Sequence, residues 1–358
     1  MIIKNAALIV FMLATIGFFL PHAGAEDLIA ETPSMNAIMD PDQIQYLGVA
    51  VNDPQMTSWG GSPIRDDEGF YHLFVARWPS RLGVNPGWRS HSEIAHFRSQ
   101  YPDKGFTYQQ TSLAGTGQET WDKFAPHNPL IRKYGGTYAL IYIARTDPKV
   151  NSSQRIGLAT SPSLNGPWTR STEPLLAPSA DPENWTYHSS CGVNNPALLK
   201  MPDGRFFLYF KAMKNGVPGT RMGLAIADNL AGPYEIQSAP VTANEQSIED
   251  GYAFLGPDKE VHLVTTDNHG ILEKGGGLHW TSSDGIQFGK PELAYHRLDA
   301  YIDKSDYPSA QTIYGSGIWK IERPQILLED GLPTYLYGPS GISTDGDPAT
   351  ECHVLRLH

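Results

Sequence analysis

Apolar and polar positions alternate along this chain in short bursts, and the bursts come in related pairs. "TYALIYIARTDPKVNSSQRIGLATSPSLNGPWTR" (137–170) and "RFFLYFKAMKNGVPGTRMGLAIADNLAGPYEI" (205–236) share one order: apolar strand, polar loop, Gly-Leu-Ala, turn, then Gly-Pro before an aromatic residue. Repetition of this kind is the signature of a radial or stacked architecture. Five hairpins align. They are "GSPIRDDEGFYHLFVAR", "HNPLIRKYGGTYALIYIAR", "NNPALLKMPDGRFFLYFKA", "EDGYAFLGPDKEVHLVTTD" and "ERPQILLEDGLPTYLYG". Each is an apolar strand, a tight turn rich in Asp, Gly or Pro, and a second apolar strand, which is how a β-hairpin reads.

Third and fourth strands follow in "SEIAHFRSQYPDKGFTY", "RIGLATSPSLNGPWT", "MGLAIADNLAGPYEI" and "GGLHWTSSDGIQF", while the fifth copy stops at "CHVLRLH". The early segment "QYLGVAV" (45–51) is expected to supply its missing strand. Repeat starts near Pro63, Pro129, Pro196, Gly251 and Pro324 lie 55 to 73 residues apart, room for four strands with loops. The pattern predicts an all-β fold: a five-bladed β-propeller of four-stranded blades, closed by pairing of N- and C-terminal strands. A β-sandwich with coincidental hairpins would not repeat the Gly-Leu-Ala and Gly-Pro-aromatic words.

In such blades the turns between first and second strands share one face, and here they are short: "DDEG", "YGG", "PDG", "GPDK", "EDGLP". The opposite face carries long loops with unusual residues, where binding groups concentrate. Trp78, Trp88, Trp121, Trp185 and Trp319 fall there, with Arg77, Arg89, His91, His127, His188 and His269. Aromatic faces beside amides, carboxylates and guanidinium groups suit a sugar, although tryptophans also plug gaps between blades. The five strand starts converge at the axis as Gly61-Ser62, His127-Asn128, Asn194-Asn195, Glu249-Asp250 and Glu322-Arg323. Carboxylates occur in the last two pairs, and Asp267 ends the next strand toward the same mouth. Glycosidic hydrolysis needs one protonated and one ionised carboxyl. Glu249 and Glu322 are the expected pair, in either order, with Asp250 or Asp267 tuning them. His127, Asn128, Asn195, Arg323, Arg77, Trp78, His188 and His269 are the expected substrate contacts. Arg77, Arg89 and Arg323 together point to a uronic or sulfated sugar, unless they merely satisfy Glu93 and Asp122.

Five blades and axial residue pairs followed by proline resemble the five-bladed propeller glycoside hydrolases of families 43, 32 and 117. The resemblance implies a funnel, exo action and three axial acids serving as base or nucleophile, pKa tuner and general acid. It also allows for one axial divalent cation, held by His127, Asp250 or water; no other cofactor is expected. The chain departs from the family 43 pattern at Ser62-Pro63, where Asp-Pro is usual, and at His127-Asn128 and Asn194-Asn195. The chemistry is therefore expected in blades four and five, with a histidine acid conceivable by likeness to family 117. A carbohydrate-binding propeller without catalysis is the alternative, and a polysaccharide lyase a further one.

Residues 1–25 read as a secretory signal, with Lys4, an apolar core and Ala23-Gly24-Ala25 at the exit, cleaved after Ala25. The expected location is secreted or periplasmic, and residues 26–358 form a single propeller domain. Without Lys4 the rest has 26 Lys+Arg (27 − 1) against 38 Asp+Glu, a charge of −12, which disfavours nucleic acid and anionic membranes. The expected partner is an oligosaccharide or polysaccharide, with no nucleic acid and no membrane once the leader is gone. Two cysteines, Cys191 and Cys352, exclude a disulfide framework.

Overall fold

The computed structural model describes residues 34–308, 311–312, 317–343 and 351–358. The proposed leader, residues 1–25, lies outside them. Five four-stranded antiparallel sheets form the five blades of a propeller, as the repeats predict. Blade 1 runs Met56–Arg65, Tyr71–Pro79, Glu93–Ser99 and Thr107–Leu113 from the inside out. Blade 2 runs Phe124–Tyr134, Thr137–Arg145, Gln154–Ser161 and Thr169–Arg170. Blade 3 is Asn194–Lys200, Phe206–Ala212, Arg221–Ala227 and Glu235–Ile236. Blade 4 is Glu249–Leu255, Val261–Thr266, Gly277–Ser282 and Glu292–Tyr295. Blade 5 takes Gln325–Glu329, Leu332–Pro339 and Cys352–Arg356 from the end of the chain and Gln45–Val51 from its beginning. Gln45 pairs with Arg356 and Tyr46 with Leu355, so the ring closes by the expected strand exchange.

Second strands are apolar without alternation because each is covered on both faces by neighbouring blades. Every residue of Phe206–Ala212 is buried, for example. Packed clusters lie between blades 1 and 2 (Phe74, Ile131, Leu140) and between blades 3 and 4 (Phe207, Leu224, Leu263). Another lies between blades 5 and 1 (Leu73, Val75, Tyr337, Val354). Burial of such aliphatic and aromatic surface is the main driving force for closing the ring.

The Gly-Leu-Ala word has a steric cause. A Cβ on Gly157 would stand 1.9 Å from the Trp121 ring, and one on Gly223 would stand 2.4 Å from Trp185. In blade 4 the same place is Gly277, against the Tyr295 ring. Each glycine seats an aromatic plate, so Trp121 and Trp185 are packing residues. Trp319, buried beside Tyr307, is another. The Gly-Pro-aromatic word marks cis peptides at Gly166-Pro167 and Gly232-Pro233.

Blades 1 and 4 each also carry a buried histidine pair capped by an aspartate nearer the surface. Asp66 accepts from His72, which is bonded at 2.7 Å to His96; Asp258 accepts from His262, bonded at 2.8 Å to His279. Burial and the neighbouring ring lower the pKa of His96 to about 3 and of His279 to about 4. Unfolding returns both to the ordinary histidine range, so the unfolded chain takes up protons that the folded one refuses. Stability is therefore full above about pH 6.5 and falls as the medium acidifies toward pH 4 and then 3. Thermal melts between pH 7 and 4 check this. His96→Phe together with His72→Leu is expected to flatten the acid side of the curve.

Candidate active site

The axial site is built from one backbone device used five times. In each blade the innermost strand breaks register against the second strand, at Trp59/Ser62, His127/Leu130, Asn194/Ala197 and Glu249/Tyr252; the blade 5 ladder begins only at Gln325. At the break stands a residue with positive φ: Gly60 (65°), Asn128 (48°), Asn195 (51°), Asp250 (62°) and Arg323 (44°). A regular strand sends successive side chains to opposite faces. A bulge with a left-handed residue lets two successive side chains address the same hollow. The preceding residues form one ring, Trp59, His127, Asn194, Glu249 and Glu322, and all five line a cavity of about 850 Å³. Asn128, Asn195 and Asp250 line it from the second ring.

In blade 1 this pairing sets Trp59-Gly60, rather than Gly61-Ser62, beside the other four pairs. Pro63 misleads because blade 1 builds its bulge on two glycines, while Ser62 is already back in the ladder, opposite Phe74. Gly60 is required twice over. It supplies the left-handed turn, and its missing Cβ leaves room for Arg323, whose Cγ would lie 2.9 Å away from such an atom.

Three carboxyls face the cavity from blades 4 and 5, in unlike surroundings. Burial pushes Glu249 up, but Lys211, Asn268 and Lys320 outweigh it and hold this carboxyl below the usual range. Lys211 Nζ donates to Glu249 Oε2 at 2.5 Å. Glu322 is the reverse case: burial, then the charges of Asp250 and Glu249, push it well above the usual range. Asp250 is raised to about 6 by burial and Glu249, against Lys211 and Arg323. It accepts from Asn195 Nδ2 at 2.5 Å, and Asn195 in turn accepts from Asn128 Nδ2 at 2.7 Å. The surroundings thus bias Glu322 toward its protonated form and Glu249 toward its ionised form, with the Asp250 charge favouring the proton on Glu322 and Lys320 Nζ, 3.6 Å from Glu322 Oε1, opposing it. The Lys211→Met variant is expected to raise the Glu249 pKa and move the acid limb of a pH–rate profile upward, which initial rates across pH 4 to 8 report.

His127 sits in an aromatic cage, its ring 6.4 Å from Trp59, 5.6 Å from Trp78 and 5.3 Å from Trp88. Ser92 Oγ gives its hydrogen to the Pro126 carbonyl, so it accepts from His127 Nδ1 at 2.9 Å. Burial, with Arg145 and Arg323 nearby, holds the histidine pKa well below its ordinary value. His127 is therefore neutral, with Nε2 left as an acceptor suited to a sugar hydroxyl.

The structure brings together Glu249, Glu322, Asp250, His127, Asn128 and Asn195 at this cavity and sets other expected residues apart. Trp78 stands in its wall beside His127 but is fully buried against Gly87 and has no open face for a sugar. Asp267 is fully buried, and its oxygens accept from the backbone N–H groups of Gly270, Ile271, Leu272 and Glu273 at 2.7 to 3.0 Å. It shapes a loop and lines no part of the cavity. Arg323 lies beneath the site, donating to the carbonyls of Asn128, Pro196 and Gly251. Arg77 pairs with Glu93 at 2.9 Å and Asp53 at 3.7 Å and stacks on Tyr108, which answers its charge outside the cavity. His188, stacked on Tyr187, and His269 are exposed and are not among the lining residues.

Sequence reasoning missed Trp59, Lys211, Asn268 and Lys320, all of which line the cavity. Lys211 had a signal: it stands at the end of the apolar run "FFLYFKA", opposite Asn194. A lone lysine in a doubly covered strand needs a partner. Among the described residues, no three His, Cys, Asp or Glu side chains gather as a group that could hold a metal.

An axial cavity in a five-bladed propeller, with one carboxyl pushed toward its protonated form and another toward its ionised form, is an arrangement suited to acid/base chemistry. No family model matches the chain. It is 26% identical over 239 residues to the extracellular endo-α-(1→5)-L-arabinanase 2 of Bacillus subtilis (strain 168), across 64% of this chain and 47% of that protein. The chain thus spans about half the length of that relative. Its fold is similar to a family 117 glycoside hydrolase of the marine bacterium Zobellia galactanivorans, at TM-score 0.64 and 16% identity, over 88% of this chain and 90% of that one. A thermostable family 43 glycoside hydrolase superposes at TM-score 0.61 and 13% identity, over 88% and 93%. The resemblance to five-bladed propellers of families 43 and 117 therefore holds for the fold.

Proposed function

We propose that this chain is a secreted glycoside hydrolase that cleaves sugar units from the end of a plant or algal oligosaccharide. Glu322 is the general acid, Glu249 the ionised partner that attacks or activates water, and Asp250 the tuner of Glu322. One observation carries the reading: two carboxyls at one cavity are driven in opposite directions, Glu322 up and Glu249 down. The leaving oxygen would take its proton from Glu322. Glu249, whose side chain is one-third open at 33%, is accessible to water or to the anomeric carbon. Trp59, part-exposed at the cavity, offers a face for sugar C–H surfaces, while His127, Asn128 and Asn194 read hydroxyls.

The arabinanase relative is named extracellular, which supports export, and the leader-like residues 1–25 agree with it. Among the described residues no helix is long and apolar enough to cross a membrane. The test is a panel of arabino-, xylo- and agaro-oligosaccharides, with reducing ends followed by assay and the released anomer by proton NMR. A new reducing sugar from the chain end is the expected result. Retained ligand without turnover would make this a binding propeller, and an unsaturated uronate absorbing in the ultraviolet would make it a lyase.

A further inference from the structure

Two arginines beside the cavity have no acid to answer them. Arg145, the last residue of the second strand of blade 2, is 1% exposed, and its Nε and Nη1 are buried without a hydrogen-bond partner. Arg89, on the short helix Val84–Ser90, also has its Nε buried without a partner. Both guanidinium groups lie on Trp88, a cavity-lining residue, at 4.3 Å for Arg145 and 5.1 Å for Arg89 from the ring centre. Among the described residues neither makes a salt bridge, while Asp122 is taken by Arg170 and Glu93 by Arg77. Burial and the charge of Arg89 lower the Arg145 pKa to about 10, so it stays cationic at neutral pH. A ring face answers part of a cation's charge, yet two like charges on one ring, one of them buried, are costly unless an anion joins them.

We propose that Arg89 and Arg145, both lying on the Trp88 ring, form a subsite for an anionic substituent of the sugar, a carboxylate or a sulfate ester. Planar guanidinium groups match both in geometry. The proposal deepens the glycosidase reading and rests on it for the sugar, but the anion site itself is read by binding alone.

The experiment titrates the intact protein with D-galacturonate, D-glucuronate, galactose 6-sulfate, galactose and glucose, following tryptophan fluorescence and calorimetry at low and high salt. Acidic sugars are expected to bind about tenfold or more tightly than neutral counterparts, as a charge-assisted pair implies, with the preference shrinking at high salt. Comparison of the uronates with the sulfate ester identifies the source of the charge. Arg89→Gln, a half-buried position, is expected to abolish the preference, and Arg145→Lys to reduce it even if Arg145→Met fails to fold. Equal binding of acidic and neutral sugars, no binding of either, or a preference that survives Arg89→Gln overturns the proposal. So does inorganic sulfate binding as tightly as the sugar acids, since the site then takes a bare anion. Neutral oligosaccharides cleaved without any acid preference would sink this inference alone. An acid preference with no turnover on any substrate would sink the glycosidase reading alone.

Discussion

Glu322→Gln is expected to lower kcat on natural glycosides by about 10² to 10⁴, the usual contribution of a positioned general acid. The amide keeps the carboxyl's shape but has no proton to give the leaving oxygen. The loss should shrink on aryl glycosides with acidic phenol leaving groups, which depart without protonation. The alkaline limb of the pH–rate profile should vanish as well, because that limb reports Glu322 losing its proton. Thermal stability should hold or rise, since the exchange removes a carboxyl that burial and two neighbouring charges already penalise. A variant that loses activity equally on activated and natural substrates would show that Glu322 positions sugar and does not protonate it.

The second large effect concerns stability. Arg323 is fully buried and joins blade 5 to the carbonyls of Asn128, Pro196 and Gly251, one from each of blades 2, 3 and 4. Arg323→Met leaves those acceptors unanswered at roughly 1–3 kcal/mol apiece, for a total of about 3–5 kcal/mol after relaxation. In a domain of this size that corresponds to a fall in Tm of about 4–7 °C. Arg323→Lys should restore little, because one ammonium does not reproduce a planar fork spanning several carbonyls. Scanning calorimetry of both variants decides the matter. A melting point within a degree or two of the parent would mean that Arg323 does not bolt the blades together.

The blade count, the closing strand and the axial carboxyls were legible because repetition makes each copy a check on the others. Register in blade 1 was not, since a bulge leaves no mark beyond two glycines and a nearby proline pulls the alignment two residues downstream. The fate of charged residues was harder still. Asp267 and Arg323 both stand at strand ends near the axis, and only the fold of the loop "NHGILE" and the space above Gly60 send them into structural roles. Lys211 and Lys320 come from a strand end and a blade-to-blade crossing, so their convergence on Glu249 and Glu322 depends on tertiary placement. Among the tryptophans, Trp121 and Trp185 were distinguishable in principle from Trp59 and Trp88. Both have a glycine on a facing strand that exists to admit them.

The left-handed ring around the axis bears on how such a protein diversifies. Its occupants in blades 1 to 4 are Gly60, Asn128, Asn195 and Asp250, drawn from the few residue types that hold positive φ at little cost. Trading Asn for Asp at these places disturbs no main-chain angle and hardly any volume. An acid can therefore hop from blade to blade by single exchanges that leave the main chain as it was, and Asn128→Asp should plant a fresh carboxyl at the same hollow without unfolding the ring, at the cost of the hydrogen bond that Asn128 Nδ2 donates to Asn195.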